Sequence, residues 1–351
     1  MLREMDAPKV ASPNPLFIGV IFCSSDVTVP GRETEKLADS EIFDTAQAVK
    51  TALESQGHLV ELVDLGKMGV EVLRKFNWIF NLAENVFGFP YQEYEITEMI
   101  EHLGIGFTGA NSACLKACLD KAWTKTELIR CGITTPAFDV YQSGDAIHSQ
   151  LHFHLIVKPV HEDGSVGITP DSIVEKPADL PSRVKKIHEI YCQSALVEEF
   201  IDGRDITASV IGNGSEAVVL PLSECIYPEQ DIPRLLSFEA VWQPDSKAYQ
   251  SIIAKCPSDL DPEEEQRIKT AALSAYRIMG CRDYCRVDFR LKDKIPYALE
   301  VNPNPCISPD DAGFVRSGKA SGLSYQELVN KILDISIKDK NRIAFSAPER
   351  K

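Results

Sequence analysis

No stretch of the 351 residues approaches the apolar length needed to cross a bilayer, so no membrane role is expected. Basic residues are also in deficit: 37 Lys and Arg stand against 52 Asp and Glu, a formal charge of −15. Nucleic-acid backbones are held by clustered Lys and Arg, so RNA and DNA are not expected partners. The ten cysteines form no C-x-x-C pair and follow no charged-then-apolar leader, the usage expected of reduced thiols in a cytoplasmic protein. Internal repeats and low-complexity segments are missing as well. What is left has ordinary globular composition, 44% hydrophobic and 25% charged, with chain enough for two or three packed lobes.

Residues 1–14 show no periodicity and read as a disordered tail, and 338–351 read as a polar tail. Between them, Leu16–Phe22 is a continuous apolar run, the pattern of a strand buried on both faces. Ile42, Ala46, Val49 and Leu53 follow at helical spacing, with Ser40 as cap and Gly57 as stop. Strands are read at Leu59–Leu65 and Trp78–Leu82, and the alternation predicts a parallel α/β lobe over residues 15–117. The string Gly104-Ile-Gly106-Phe-Thr-Gly109 fits a dinucleotide fingerprint in letters only. A helix from Tyr91 to Leu103 precedes it where the fingerprint needs a strand, so it reads as a helix stop, a short strand and a turn.

The remainder splits into two β-rich lobes, read as residues 118–204 and 205–337. In the first, a helix from Asp120 to Cys131 carries Lys121 and Lys125, and the strand Phe153–Pro159 delivers Lys158 just before the loop Gly164-Ser165-Val-Gly167. A lysine beside backbone that glycine leaves open is a way to hold polyphosphate, although a plain surface hairpin has the same composition. His152 and His154 share a strand face, but no further Cys or His nearby completes a zinc site. In the second lobe, Asp261-Pro-Glu-Glu264 and Ser324-Tyr-Gln-Glu327 each carry the signature of a capped helix start.

Two runs in that lobe carry the chemistry. Tyr284–Leu291 and Pro296–Asn302, folded about Lys294 as an antiparallel hairpin, place Val287, Phe289, Leu291, Leu299 and Val301 on one face. The other face holds Arg286, Asp288, Glu300 and Asn302, with Asp288 opposite Glu300 and Arg286 opposite Asn302. Two crowded carboxylates raise each other's pKa unless a cation neutralises them, so removing one is expected to leave the free protein no less stable. With an Asn carbonyl beside them they suit Mg²⁺, and Arg286 suits a phosphoryl group or an oxyanion. A solvated face laced by salt bridges is the plainer alternative.

Taken in order, the chain resembles the D-alanine–D-alanine ligase family of the ATP-grasp superfamily over about residues 78–335. The residues that carry the likeness are Phe80-Asn-Leu82, Gly104–Gly109, Asp120-Lys121, Thr134-Thr-Pro136, Lys158-Pro159, Gly164–Gly167, Glu198-Glu-Phe-Ile201 with Gly203, Arg286-Val-Asp288 and Glu300-Val-Asn302. The resemblance implies a pre-ATP-grasp α/β lobe followed by two β-rich lobes with ATP between them, and an acyl phosphate attacked by an amine. It implies Lys121 and Lys158 on the ATP phosphates, the backbone of Glu199 and Ile201 on adenine, and Asp205, where the family usually has Glu, on the ribose. Glu198, Gly164 and Ser165 join the ATP-binding set, the glycine loop closing over the phosphates. Asp288, Glu300 and Asn302 match the ligands of Mg²⁺, for which Mn²⁺ is an alternative, and Arg286 the arginine that stabilises the tetrahedral intermediate. Expected partners are small-molecule carboxylate and amine substrates, with a homodimer as an option.

The departures bear on the substrates. Where the family's D-alanine enzymes carry Gly-Gly and an amine-gripping Glu, this chain reads Phe22-Cys-Ser-Ser-Asp26; beyond Asn302 it reads Pro303-Asn-Pro-Cys306, with Asp311 at the place of the serine that holds the second substrate. An acid there disfavours a carboxylate and favours a cation. Val241 stands where relatives carry a phosphate-contacting lysine, and Asp26, Glu84 and Glu93 are the acids read as holders of a substrate amine.

Overall fold

Three β-sheets organise the computed structural model, which describes residues 15–24, 42–84, 92–228, 234–310 and 312–339; Ser40, Tyr91, Asp26 and Asp311 lie outside them. The first sheet is parallel, in the order β2 (Leu59–Asp64), β1 (Phe17–Phe22), β3 (Trp78–Asn81), β4 (Gly106–Phe107). Its central strands are buried on both faces, as continuous apolar runs require. Helix α1 (Ile42–Glu54) buries Ala46, Val49 and Leu53 against it, and α2 (Glu93–Leu103) stops at Gly104 in the left-handed region, φ 69°. A Cβ on Gly106 would fall 2.1 Å from the Trp78 ring, so β4 can approach β3 only as glycine.

Two short helices then lead across the molecule. Asn111 caps α3 (Ser112–Leu119) and Asp120 caps α4 (Lys121–Arg130), which fixes Lys121 as the first helical residue. The second sheet is antiparallel, in the order β5 (Phe138–Tyr141), β8 (Ala195–Glu199), β6 (Leu155–Pro159), β7 (Ile173–Val174), with α5 (Leu180–Tyr191) packing Val184 and Ile187 on it.

The third sheet runs β12 (Ile253–Lys255), β11 (Ser223–Ile226), β9 (Arg204–Ile211), β13 (Tyr284–Lys292), β14 (Ile295–Asn302), and β10 (Val218–Val219) pairs with β9. A five-residue helix, α6 (Phe238–Trp242), stands in the excursion between β11 and β12. Behind the sheet, α7 (Pro262–Ile278) starts with a complete capping box at Asp261 and Glu264 and buries Ile268, Ala272, Ala275 and Tyr276. After α8 (Gly313–Ala320), Ser324 and Glu327 form a second capping box at the start of α9 (Tyr325–Lys338). That last helix packs back on the first lobe: Leu328, Val329 and Ile332 share a core with Val20, Ala46 and Val49, and Trp78 Nε1 donates to Ser336 Oγ at 3.1 Å.

The hairpin departs from its expected form at the turn. Arg286 pairs with Asn302 and Asp288 with Glu300, but beyond Asp288 the register shifts, so Phe289 faces Ala298 and Lys292 faces Ile295. The turn is Asp293-Lys294, both at positive φ (51° and 63°), rather than a fold centred on Lys294. A bulge at Leu299 takes up the odd residue, and Ala298 replaces Leu299 in the core. The site end of the hairpin is untouched by this.

Candidate active site

The cleft between the second and third sheets collects the charged groups. Alternation along β13 and β14 presents Arg286, Asp288, Glu300 and Asn302 on one face, and the cap of α4 delivers Lys121 opposite them. Lys121, 6% exposed, holds Glu300 Oε1 at 2.8 Å and also donates to the Glu162 carbonyl. Burial pushes the Glu300 carboxyl up, but Lys121, with the charges of Arg286 and Lys158 added, holds the group below the usual glutamate range. Arg286 forks onto Asp288, Nε to Oδ1 at 2.9 Å and Nη2 to Oδ2 at 2.9 Å. Asp288 is nonetheless held above the usual range, by burial first, with Arg286 opposing and Glu300 adding to the rise. Asn302 Oδ1 accepts the Asn304 N–H at 3.0 Å.

A second charged knot lies deeper. Glu198 in β8, 2% exposed, is shared by Lys125 Nζ at 2.7 Å and by Lys158 Nζ from the neighbouring β6. Lys125 is fully buried one helical turn from Lys121 and also donates to Thr135 Oγ1 at 2.7 Å, which passes the link to the Ala298 carbonyl of β14. Glu198 was expected among the ATP-binding residues; its carboxylate is the counter-ion of two lysines. Lys125, Thr135 and the Glu162 carbonyl were missed as site groups. Only the i, i+4 spacing of Lys121 and Lys125 could have pointed to one of them.

Gly164 and Ser165 form a turn with both φ values positive, 54° and 63°. The turn is fastened to the third lobe's excursion, since Ser165 Oγ donates to the Leu236 carbonyl at 2.8 Å and Trp242 Nε1 donates to the Gly164 carbonyl at 2.8 Å. Trp242, next to Val241 on α6, carries no sequence signal for this contact. At the cleft's other end the Glu199 N–H is committed to the Ala137 carbonyl at 3.0 Å, and Ile201 is buried. Asp205 is 6% exposed, and Arg290 (3.1 Å) and the Tyr227 hydroxyl (2.8 Å) both fall on its Oδ2.

Beside the metal-type face a shallow, solvent-open depression is lined by Leu82, Glu84, Trp242, Asn304 and Cys306, with Ile42 and Thr45 from α1. Glu93, at the start of α2, is buried behind it and accepts from Asn304 Nδ2 at 3.4 Å. Burial pushes its carboxyl well above the usual range, and the charges of Asp163 and Glu84 push the same way. Asn304 is fixed by the buried Tyr284 hydroxyl at 3.0 Å. Where the family's amine-gripping acid is looked for, Ser24 is tied to Asp64, its N–H donating to Oδ1 at 3.0 Å and its hydroxyl to Oδ2 at 2.5 Å.

Two carboxylates and an amide oxygen on one face are hard donors of the kind Mg²⁺ or Mn²⁺ takes. The electrostatics fit as well: a carboxylate whose pKa burial and a neighbouring carboxylate raise is one whose charge a divalent cation would stabilise. Asp288, Glu300 and Asn302 would hold the ion, which when bound supplies neutralisation of phosphate charge.

A family model described as the D-ala D-ala ligase C-terminus matches residues 134–334. The D-alanine–D-alanine ligase of Carboxydothermus hydrogenoformans is 32% identical over 311 residues, covering 85% of this chain and 94% of that protein. The uncharacterized protein y4sG of Sinorhizobium fredii is 33% identical over 302 residues, covering 83% and 87%. The crystal structure of the Bacillus anthracis D-alanine–D-alanine ligase complexed with ATP superposes with a TM-score of 0.74 at 22% identity, over 92% of this chain and 98% of that one, a likeness of fold. With the family model over more than half of its length and relatives above 30% identity across most of it, the chain belongs to the D-alanine–D-alanine ligase family and is an ATP-dependent ligase with the ATP-grasp fold.

Proposed function

We propose that the chain joins a carboxylate to an amine at the expense of ATP, with Mg²⁺ as its metal ion, through an acyl phosphate, with substrates that are not two D-alanines. The observation that carries this is the cleft itself, where Lys121 and Arg286 contact the face that bears Asp288, Glu300 and Asn302, and Lys158, held on Glu198, adds its charge to Glu300 through space. Lys121 and Lys158 meet phosphate oxygens, the Gly164–Gly167 turn covers them, and Arg286 stabilises the oxyanion formed when the amine attacks. Since the Glu199 N–H is already used, adenine is read by the Glu199 carbonyl and the Ile201 N–H, and a ribose hydroxyl donates to Asp205 Oδ1. The substrates lie toward Glu84, Glu93, Asn304 and Cys306, a more acidic surrounding than a plain D-alanine pair requires, and Asp26 and Asp311 belong to segments outside the described residues. Pairwise panels of L- and D-amino acids and amines, followed by phosphate release and product mass, test this. Efficient D-alanyl-D-alanine synthesis overturns the substrate reading, and no stimulated release by any pair overturns the reaction.

Two substitutions probe the ATP side. Lys158→Ala should weaken ATP binding at least tenfold, as expected when a charge-assisted contact worth about 1.5–3 kcal/mol is lost. Lys125 still neutralises Glu198, so the fold survives. Unchanged affinity by calorimetry takes Lys158 out of the site. Trp242→Phe keeps the ring against Phe238 but deletes the N–H on Gly164, a hydrogen bond worth about 1 kcal/mol. The expected result is a several-fold rise in KM for ATP with the thermal midpoint nearly unmoved; an unchanged KM separates the clasp from nucleotide binding.

A further inference from the structure

The cysteines are scattered along the chain, yet four of them converge in space. Cys114 and Cys118 lie one helical turn apart on one face of α3; Cys281 and Cys285, at the same spacing, lead into and begin the catalytic strand β13. All four thiols are free and buried. The Sγ atoms of Cys114, Cys118 and Cys281 all lie within 4.8 Å of one another, Cys114 and Cys281 are 3.8 Å apart, and the Cys285 thiol is in hydrogen-bonding contact with Cys281.

We propose that Cys114, Cys118 and Cys281 form a structural Zn²⁺ site separate from the hard-oxygen face of the cleft; Cys285, whose thiol lies outside that cluster against the Arg286 carbonyl, must move to join as the fourth ligand. A tetrahedral zinc with Zn–S bonds of about 2.3 Å has sulfur–sulfur edges of about 3.8 Å, so the Cys114–Cys281 pair already stands at the required separation. The third sulfur needs a movement of less than about 1 Å to join them. Thiolate sulfur selects a soft ion over Mg²⁺, and among the described residues the cluster holds no carboxylate. Binding is a proton exchange: each coordinating S–H gives its proton to solvent as its sulfur bonds the ion, with no change of oxidation state. Cysteine is also a common small core residue, but apolar packing gives no reason for sulfurs from two distant segments to meet at one point. The ion would tie α3 to Cys281, in the turn that leads into β13, and so brace the strand that bears Arg286 and Asp288.

The test uses the reduced full-length protein, stripped with a chelator and kept in excess Mg²⁺ so that hard-oxygen sites are filled. Zn²⁺ alone should be retained at one equivalent through desalting and raise the thermal midpoint. Co²⁺ alone should give the intense near-ultraviolet sulfur-to-cobalt charge-transfer band. Both responses should vanish in C114A/C281A. If that variant fails to fold, the cobalt band of the wild type decides. A wild type that shows no such band and retains only traces of Zn²⁺ overturns the site, as does equal retention by the double variant. ATP-dependent phosphate release, assayed on the same samples, reports the cleft and not this cluster.

Discussion

Glu300→Gln is expected to lower Mg²⁺-dependent phosphate release by orders of magnitude while costing the free protein about 2–3 kcal/mol of stability. The first effect follows from the role proposed for Glu300, which faces Asp288 across the hairpin and supplies half of the carboxylate charge available to the ion. The second reverses the expectation drawn from the sequence, where two opposed carboxylates seemed better apart. Lys121 Nζ sits 2.8 Å from Glu300, with side-chain exposures of 7% and 22%, so the amide leaves a nearly buried ammonium without its anion. The magnitude is set below that of a fully buried pair because Glu300 is still wetted. The pH dependence provides a check. Lys121 holds the Glu300 pKa below its ordinary 4.5, so the pair stabilises the fold above that pH and its contribution is lost as pH falls through the depressed value. Wild type and variant should therefore converge in acid. Phosphate release titrated with Mg²⁺, alongside thermal midpoints from neutral to acid pH, measures both effects. Normal turnover in the variant removes Glu300 from the metal site.

What could be read from the sequence divides by the range of the interaction that fixes it. The boxes at Asp261 and Ser324 were legible because a few adjacent residues determine them, whereas the pairing of Asp288 with Glu300 was reached only because two misreadings cancel: the turn is Asp293-Lys294, and the bulge restores the register at the site. The bulge at Leu299 was not legible, because Leu is the better core residue by composition, and only packing under α7 and α4 selects Ala298 for that place. Lys121 and Lys158 were placed by the family resemblance as well as by their helix start and strand end. Glu198 was seen, but its carboxylate was not: its partners Lys125 and Lys158 lie 73 and 40 residues earlier, on a helix and a neighbouring strand, and no local rule connects them. The Trp242 clasp on Gly164 is likewise purely tertiary.

That hidden carboxylate carries the largest expected effect on stability. Glu198→Gln should cost about 3–5 kcal/mol, the range for removing one member of a buried ion pair, because it strands two ammonium groups at once. Glu198 is 2% exposed and Lys125 fully buried, so water cannot replace the lost charge. Burial opposes the charge on Glu198, yet Lys125 and Lys158 together hold its carboxyl below the usual range. One carboxylate cannot satisfy two lysines in full, and burial, with Lys158 adding to it, pushes Lys125 down to about 8. A lysine depressed in the folded state binds fewer protons there than in the unfolded chain, so this group's contribution to stability rises with pH from about 8 to the ordinary lysine value of 10.5. In Glu198→Gln the Lys125 pKa falls further and the window opens at lower pH, so the variant should recover stability on going from neutral to mildly alkaline solution more steeply than the wild type. ATP offers a second readout: with Lys158 in the proposed phosphate site, its phosphates bring anions to that lysine and should raise the variant's thermal midpoint more than the wild type's. Denaturant midpoints across that pH range, with and without ATP, measure all three effects. A variant within about 0.5 kcal/mol of wild type and no steeper in pH would show that the knot of Lys125, Glu198 and Lys158 does not brace the cleft.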